Sequence, residues 1–222
     1  MSTFSAQLCK DADSILQATY NHPFIRGIAK GELGREQLIH YVKQDFEYLS
    51  AMIKTRGFAL SKCESREDME MFHRSVAYVL YDEGLAHENL CRVAGVTYED
   101  LQGYQPSPTA HQYINHMIAT AATGSIGDII AATLPCPWIY LEIGRKLVEE
   151  VQPDPSHPFH DWITIYGNDD GEAVNRYFAR LDQLAEESSP GARERMRQLF
   201  LTSCRMEYMF FDMAYRLEEW PV

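Results

Sequence analysis

The chain has 222 residues, with 32 acidic side chains against 20 basic ones and a formal net charge of −12, which disfavours binding to nucleic acid or an anionic membrane. At 45% hydrophobic it can fill one substantial core, so a single domain over residues 1–222 is expected, and no run approaches the roughly 18 to 20 uncharged apolar residues that span a bilayer. The start, Met1 to Leu8, lacks signal-peptide organisation, which points to the cytoplasm, and five scattered cysteines, an odd number, fit neither a disulfide framework nor a zinc site.

Helical periodicity dominates from end to end, which predicts an all-α, multi-helix bundle. The first helix runs from Phe4 to Tyr20. Asn21-His22-Pro23 then forces a turn, and a short helix carries Phe24, Ile25 and Ile28. A longer helix begins near Gly34, where Leu38, Tyr41, Val42, Phe46, Leu49, Met52 and Ile53 recur at helical spacing. The next spans Arg66 to Ala94 and ends at Gly95. Gly103, Pro106 and Pro108 mark a connection, after which one helix runs through Tyr113 and Met117 up to Gly124 and another from Ile126 to Leu134. A helix from Cys136 continues through Tyr140, Ile143 and Leu147 to Val151, where Pro153, Pro155 and Pro158 stop it. A short helix bearing Trp162 and Tyr166, another from Glu172 to Glu187 and a last one from Gly191 to Leu217 complete the chain.

Several residues stand out against these faces. Cys136 lies between Pro135 and Pro137 at a helix start, where the positive end of the helix dipole favours a thiolate; it is either a nucleophile or a small core side chain. Asp45 and Tyr48, three residues apart, either face the interior together or leave Asp45 in solvent beside Lys43. Glu207 either shares a face with Cys204, Phe210 and Phe211, where burial suits it to proton transfer, or pairs with Arg205 or Arg216 on the surface. Glu83 and His87, at i and i+4, have the residue types of a metal site, but the chain has no Glu-x-x-His of the kind bundle di-iron centres use, so a hydrogen-bonding role suits His87 better. Tyr113, Tyr140 and Tyr166 offer aromatic walls with phenolic tips, apt for a flat polar heterocycle.

Taken in order, His22-Pro23-Phe24, Tyr41-x-x-Gln44-Asp45-x-x-Tyr48, Glu83-x-x-x-His87, Pro108-Thr109 leading to Tyr113, Leu134-Pro135-Cys136-Pro137-Trp138-x-Tyr140, Trp162-x-x-x-Tyr166 and Glu207-x-x-Phe210-x-Asp212-x-Ala214 resemble the TenA family, also called thiaminase II or aminopyrimidine aminohydrolase. The resemblance implies a haem-oxygenase-like bundle without haem, assembled as a homotetramer. It also implies hydrolytic release of 4-amino-5-hydroxymethyl-2-methylpyrimidine from thiamine or from the corresponding aminomethyl pyrimidine, with no metal or organic cofactor. By the same likeness Cys136 is the nucleophile and Glu207 the acid and base. Asp45 holds the pyrimidine's amino group and adjacent ring nitrogen, Tyr48 and Phe210 sandwich the ring, Tyr113 and Tyr166 line the site, and Tyr140 is a hydrogen-bonding partner. Two departures from the family pattern, Gly167 after Tyr166 and Phe211 after Phe210, are expected to alter the pocket mouth. The competing readings are a non-catalytic pyrimidine-binding or regulatory protein and a metal-dependent oxidase on the same scaffold.

Overall fold

The computed structural model of the protein describes residues 2–81 and 84–222, which form α-helices and one 3-10 turn, with no strand among them. In chain order the helices are α1 (Phe4–Tyr20), α2 (Pro23–Lys30), α3 (Arg35–Lys62), α4 (Arg66–Tyr81), α5 (Gly84–Ala94), α6 (Pro108–Thr123), α7 (Ile126–Thr133), α8 (Pro135–Val151), α9 (His160–Gly167), α10 (Glu172–Glu186) and α11 (Pro190–Arg216). The turn, Glu99–Leu101, lies between α5 and α6. Their starts follow local chemistry. The Thr3 hydroxyl accepts the Ala6 N–H, the His22 ring accepts that of Phe24 with Pro23 in the first turn, Ser125 and Asp128 form a reciprocal capping box, and Ser189 accepts from Ala192. The expected single helix over Arg66 to Ala94 is described as α4 and α5; residues 82 and 83 between them lie outside the described residues.

The two longest helices organise the bundle. α3 has 28 residues and α11 has 27, each spanning about 40 Å at ~1.5 Å per residue. α11 packs on α1, α3, α6, α7 and α8, while α3 also holds α4, α5 and α6. Each has a buried stripe that is apolar except at a few charged positions. On α3 the stripe includes Tyr41, Asp45, Tyr48, Met52 and Arg56; on α11 it includes Phe200, Cys204, Glu207, Phe210 and Phe211. Burying a charge is costly unless it is paired, neutralised or used, so these exceptions mark where the core gives way to a site.

α8 and α9 meet backbone to backbone. A Cβ on Gly144 would fall 2.6 Å from the Gly167 nitrogen, and one on Gly167 would fall 2.5 Å from the Gly144 oxygen. Glycine at both positions permits this approach, which sets the Tyr140 and Tyr166 rings 5.0 Å apart.

The start of α8 differs from expectation. Leu134 keeps helical angles (φ −68°, ψ −30°), its N–H reaches the Ile130 oxygen at 2.8 Å, and the Trp138 N–H reaches the Leu134 oxygen at 3.2 Å. The carbonyl end of α7 therefore abuts the amide end of α8, and the opposed partial charges leave Cys136 without the isolated positive pole its sequence position implied. Joined in this way, residues Ile126–Val151 are long and apolar enough by length and composition to cross a membrane, but they carry charged residues such as Asp128 and Glu142, so the expected lack of a long uncharged run holds, and most of the apolar stretch is buried inside the bundle.

Candidate active site

The stripes of α3 and α11 converge on a cavity of about 540 Å³. Three helical pairs aim side chains into it: Asp45 and Tyr48 on α3, Cys136 and Tyr140 on α8, and Glu207 and Phe210 on α11, each three or four residues apart and so on one face. Tyr113 from α6 and Tyr166 from α9 complete the wall. The structure thus brings together eight of the ten residues singled out from sequence. Of the other two, Glu83 lies outside the described residues. His87 stands behind the wall, buried, with its Nε2 2.6 Å from Asp45 Oδ2 and its ring stacked on Tyr98 at 5.2 Å. Asp45 itself is buried, which settles its orientation in favour of the interior.

Glu207 is likewise interior. Burial, first of all, pushes its carboxyl up to about 8, and the charge of Asp45 adds to the rise. Hydrogen bonding by Tyr113, whose hydroxyl donates to Glu207 Oε1 at 2.6 Å, opposes the rise, as do Tyr48 and Cys136. At neutral pH the group is mainly a neutral acid. The Tyr48, Tyr113 and Tyr140 phenols are held well above their usual value, chiefly by burial, so they remain hydrogen-bond donors. Tyr140 also shares a hydrogen bond with the buried Tyr41 hydroxyl.

Cys136 is half-buried and faces the cavity and Glu207, whereas the other four thiols lie away from it. Burial pushes Cys9 and Cys91 up to about 11, and raises Cys63 and Cys204 as well, which keeps them protonated. The Tyr48 and Phe210 rings stand 5.7 Å apart and tilted by 57°. A ring held between them needs about 7 Å, two contacts of ~3.5 Å each, so a sandwich requires these side chains to part.

Both departures from the family pattern fall behind the cavity wall instead of at its mouth. Gly167 serves the contact with Gly144, and Phe211 is fully buried, stacked on Tyr41 at 6.1 Å and packed on Tyr140 at 5.5 Å. Sequence reasoning missed a further part of the cavity lining, formed by Arg56, residues of α4 such as Met71 and Tyr78, and residues of α10 such as Ala173 and Tyr177. A signal was present, since Arg56 continues the Asp45, Tyr48, Met52 stripe at helical spacing. Among the described residues no group of three or more His, Cys, Asp or Glu side chains is placed to hold a metal ion.

The order and packing of the helices define a haem-oxygenase-like, all-α fold. Haem oxygenase-1 from the cyanobacterium Synechocystis superposes with a TM-score of 0.61 at 15% identity, over 95% of this chain and 91% of that one, a likeness of fold alone. A TenA homologue from P. horikoshii superposes with a TM-score of 0.82 at 27% identity, over 97% and 99% of the two chains. A structure from a Silicibacter species, described as a TenA family transcription regulator, gives 0.84 at 27% identity, over 96% and 97%. In sequence, the aminopyrimidine aminohydrolase of Bacillus subtilis is 33% identical, with 98% of this chain and 92% of that protein covered. The enzyme of the same name from Halalkalibacterium halodurans is also 33% identical, with 98% of each chain covered. Residues 9–217 match the model of the TENA/THI-4/PQQC family, and the chain belongs to that family.

Proposed function

We propose that this protein is an aminopyrimidine hydrolase of thiamine salvage. It cleaves the bond between the exocyclic methylene of a 4-amino-2-methylpyrimidine and its amine or thiazole substituent, releasing the hydroxymethyl pyrimidine. The observation that carries the reading is a buried carboxyl, Glu207, which accepts from Tyr113 and shares one cavity with a thiol, Cys136, and a second carboxyl group, Asp45. The hydrolases from Bacillus subtilis and Halalkalibacterium halodurans support it.

Each group has a task its environment suits. Asp45, held in place by His87, receives the ring's 4-amino group and pairs with the adjacent ring nitrogen. The Cys136 sulfur adds to a ring carbon while Glu207 delivers a proton to a ring nitrogen, so the thiol's hydrogen is in effect moved across the C=N bond through the carboxyl. With Oε1 accepting from Tyr113, Oε2 is the oxygen that carries this proton. The ring, no longer aromatic, pushes electrons toward the methylene; as the C–N bond breaks the amine takes the Glu207 proton and leaves as the free amine, which turns Glu207 into a carboxylate. Water then adds to the exposed methylene and returns a proton to Glu207, and the ring N–H proton goes back to the sulfur as it departs and aromaticity returns. An acid with a value near 8 is well matched to donating and retrieving a proton at neutral pH.

The assembly is a homotetramer. Support comes from Tyr78, Leu80, Tyr81 and Leu85, large apolar side chains exposed on α4 and α5 that a subunit contact would cover. A purely regulatory protein, the kind of role named for the Silicibacter structure, would require neither the cavity thiol nor the neutral acid beside it. The test is turnover by the purified protein of the aminomethyl pyrimidine and of thiamine, with the hydroxymethyl product followed by chromatography. Hydrolysis of at least one is expected; tight binding of the pyrimidine with no turnover of either overturns the reading.

A further inference from the structure

Arg56 has no place in the chemistry above, yet it is one of the most deeply buried charges in the molecule, 3% exposed on the inner stripe of α3 and lining the cavity. Among the described residues no carboxylate pairs with it. Its Nη1 donates to the Thr133 hydroxyl at 2.6 Å, and its Nε is buried without a partner. The guanidinium carbon lies 5.1 Å from the centre of the Tyr177 ring and 5.8 Å from that of Phe72, so aromatic faces hold the group in place and offset only part of the cost of removing it from water. A guanidinium cannot escape that cost by losing its proton.

The acids at the start of α10 do not supply the missing counter-charge. Asp169 accepts the Gly171 N–H at 2.7 Å, Asp170 accepts that of Glu172 at 2.8 Å, and Glu172 pairs with Arg176. Arg56 is, however, near the reacting groups. Its partner Thr133 precedes Cys136 by three residues, about 4.5 Å of helical rise. The cavity, about 540 Å³, lies in the range of roughly 300 to 1,000 Å³ that accommodates drug-sized ligands, and a single substituted pyrimidine leaves much of it empty.

We propose that Arg56 is an anion-binding subsite for the leaving group: the substituent displaced from the pyrimidine's methylene carries a carboxylate or a phosphate ester that the guanidinium binds through its planar fork. This rests on the hydrolase reading and names the substrate class for the same site. In the carboxylate case the substrate is an amino acid attached through its nitrogen to the pyrimidinylmethyl carbon. The C–N bond breaks, the water oxygen bonds to the methylene, one water hydrogen stays as the new hydroxyl and the other leaves on the amine. The products are the hydroxymethyl pyrimidine and a free amino acid. Arg56 correspondingly disfavours an uncompensated cation such as a bare thiazolium in this part of the cavity.

The experiment is calorimetric binding to the Cys136→Ala protein, in which turnover is silenced. Two pairs of ligands are compared: the N-(pyrimidinylmethyl) derivative of glycine against that of glycinamide, and thiamine monophosphate against thiamine. The anionic member of at least one pair is expected to bind tenfold or more tightly, and adding Arg56→Gln brings that ratio within twofold. The first pair reports a carboxylate, the second a phosphate. Equal binding within both pairs overturns the proposal, as does a preference that survives Arg56→Gln in a protein shown by circular dichroism to be folded. If Arg56→Gln does not fold, Arg56→Lys takes its place: a preference reduced at least threefold supports the proposal, and an undiminished one overturns it. Failure of the unaltered protein to hydrolyse either the plain aminomethyl pyrimidine or thiamine would sink the hydrolase reading instead, while these binding ratios still report on the subsite.

Discussion

Replacing Glu207 with Gln separates what the acid does for catalysis from what it costs the fold. The carboxyl has a value of about 8 in the folded chain against 4.5 for an ordinary glutamate, because burial disfavours its charged form. The folded state therefore binds this proton more tightly than the unfolded state does. The associated stability is fully present below about pH 4.5 and is lost as the pH rises through about 8, at ~1.4 kcal/mol per unit. By pH 7 the loss is about 3 kcal/mol, and it levels off at about 5 kcal/mol above pH 8. Glutamine keeps the shape and still offers an oxygen to the Tyr113 hydroxyl, but never ionises. Glu207→Gln should thus melt about 6–12 °C higher than the parent at pH 7, since ~1 kcal/mol moves the midpoint by about 2–4 °C for a chain of this size. The gap should shrink to about 1–3 °C at pH 5 and widen toward pH 8. Turnover of the aminomethyl pyrimidine should meanwhile fall by about 10²–10⁴-fold, the usual contribution of a positioned acid and base. Calorimetric melts at pH 5, 6, 7 and 8 beside steady-state assays give both readings. A melting gap that is absent or does not grow with pH, or a variant that turns over at the parental rate, would refute the assignment of Glu207 as a buried neutral acid.

Other substitutions test neighbouring parts of the account. The Tyr113 hydroxyl lowers the Glu207 value, so Tyr113→Phe raises it further and should move the alkaline fall of kcat/KM, expected near pH 8 in the parent, to higher pH; an unmoved or lowered limb contradicts the hydrogen bond's role. His87→Ala frees the Asp45 carboxylate to rotate and should raise KM for the aminomethyl pyrimidine at least tenfold with a smaller effect on kcat, whereas equal falls in kcat and kcat/KM would place His87 in the chemistry itself. Gly167→Ser puts a Cβ 2.5 Å from the Gly144 oxygen, which should cost about 1–3 kcal/mol and lower the melting temperature by several degrees while displacing Tyr166; an unchanged melt would show that α8 and α9 can part freely.

The helices were legible because their apolar positions recur at three and four residues and their ends carry Ser, Thr, Pro or Gly. The same periodicity exposed Asp45 and Glu207 as charged residues on buried stripes, although it left open whether each turned inward, since one helix's register does not reveal what lies opposite. That limit explains the omissions. Arg56 sits in register with Asp45, but its importance follows from α4, α7 and α10 closing around it with no carboxylate, among the described residues, paired to it. Pro135 and Pro137 marked a helix start correctly, yet Leu134 carries the helical path across from α7, and that continuity removes the dipole argument for Cys136. Gly167 read as a departure at the pocket mouth because its partner Gly144 is distant in sequence; the contact between them is tertiary and leaves no local mark.

The central claim is that the Cys136 sulfur forms a bond to the pyrimidine. The measurement is hydroxymethyl pyrimidine release by purified Cys136→Ala protein, alongside its melting temperature and its affinity for the pyrimidine. Release reduced by at least about 10³-fold is expected, in a protein that melts within a few degrees of the parent and still binds the pyrimidine. Release at a rate near the parent's, by a protein that lacks this thiol, would contradict the account.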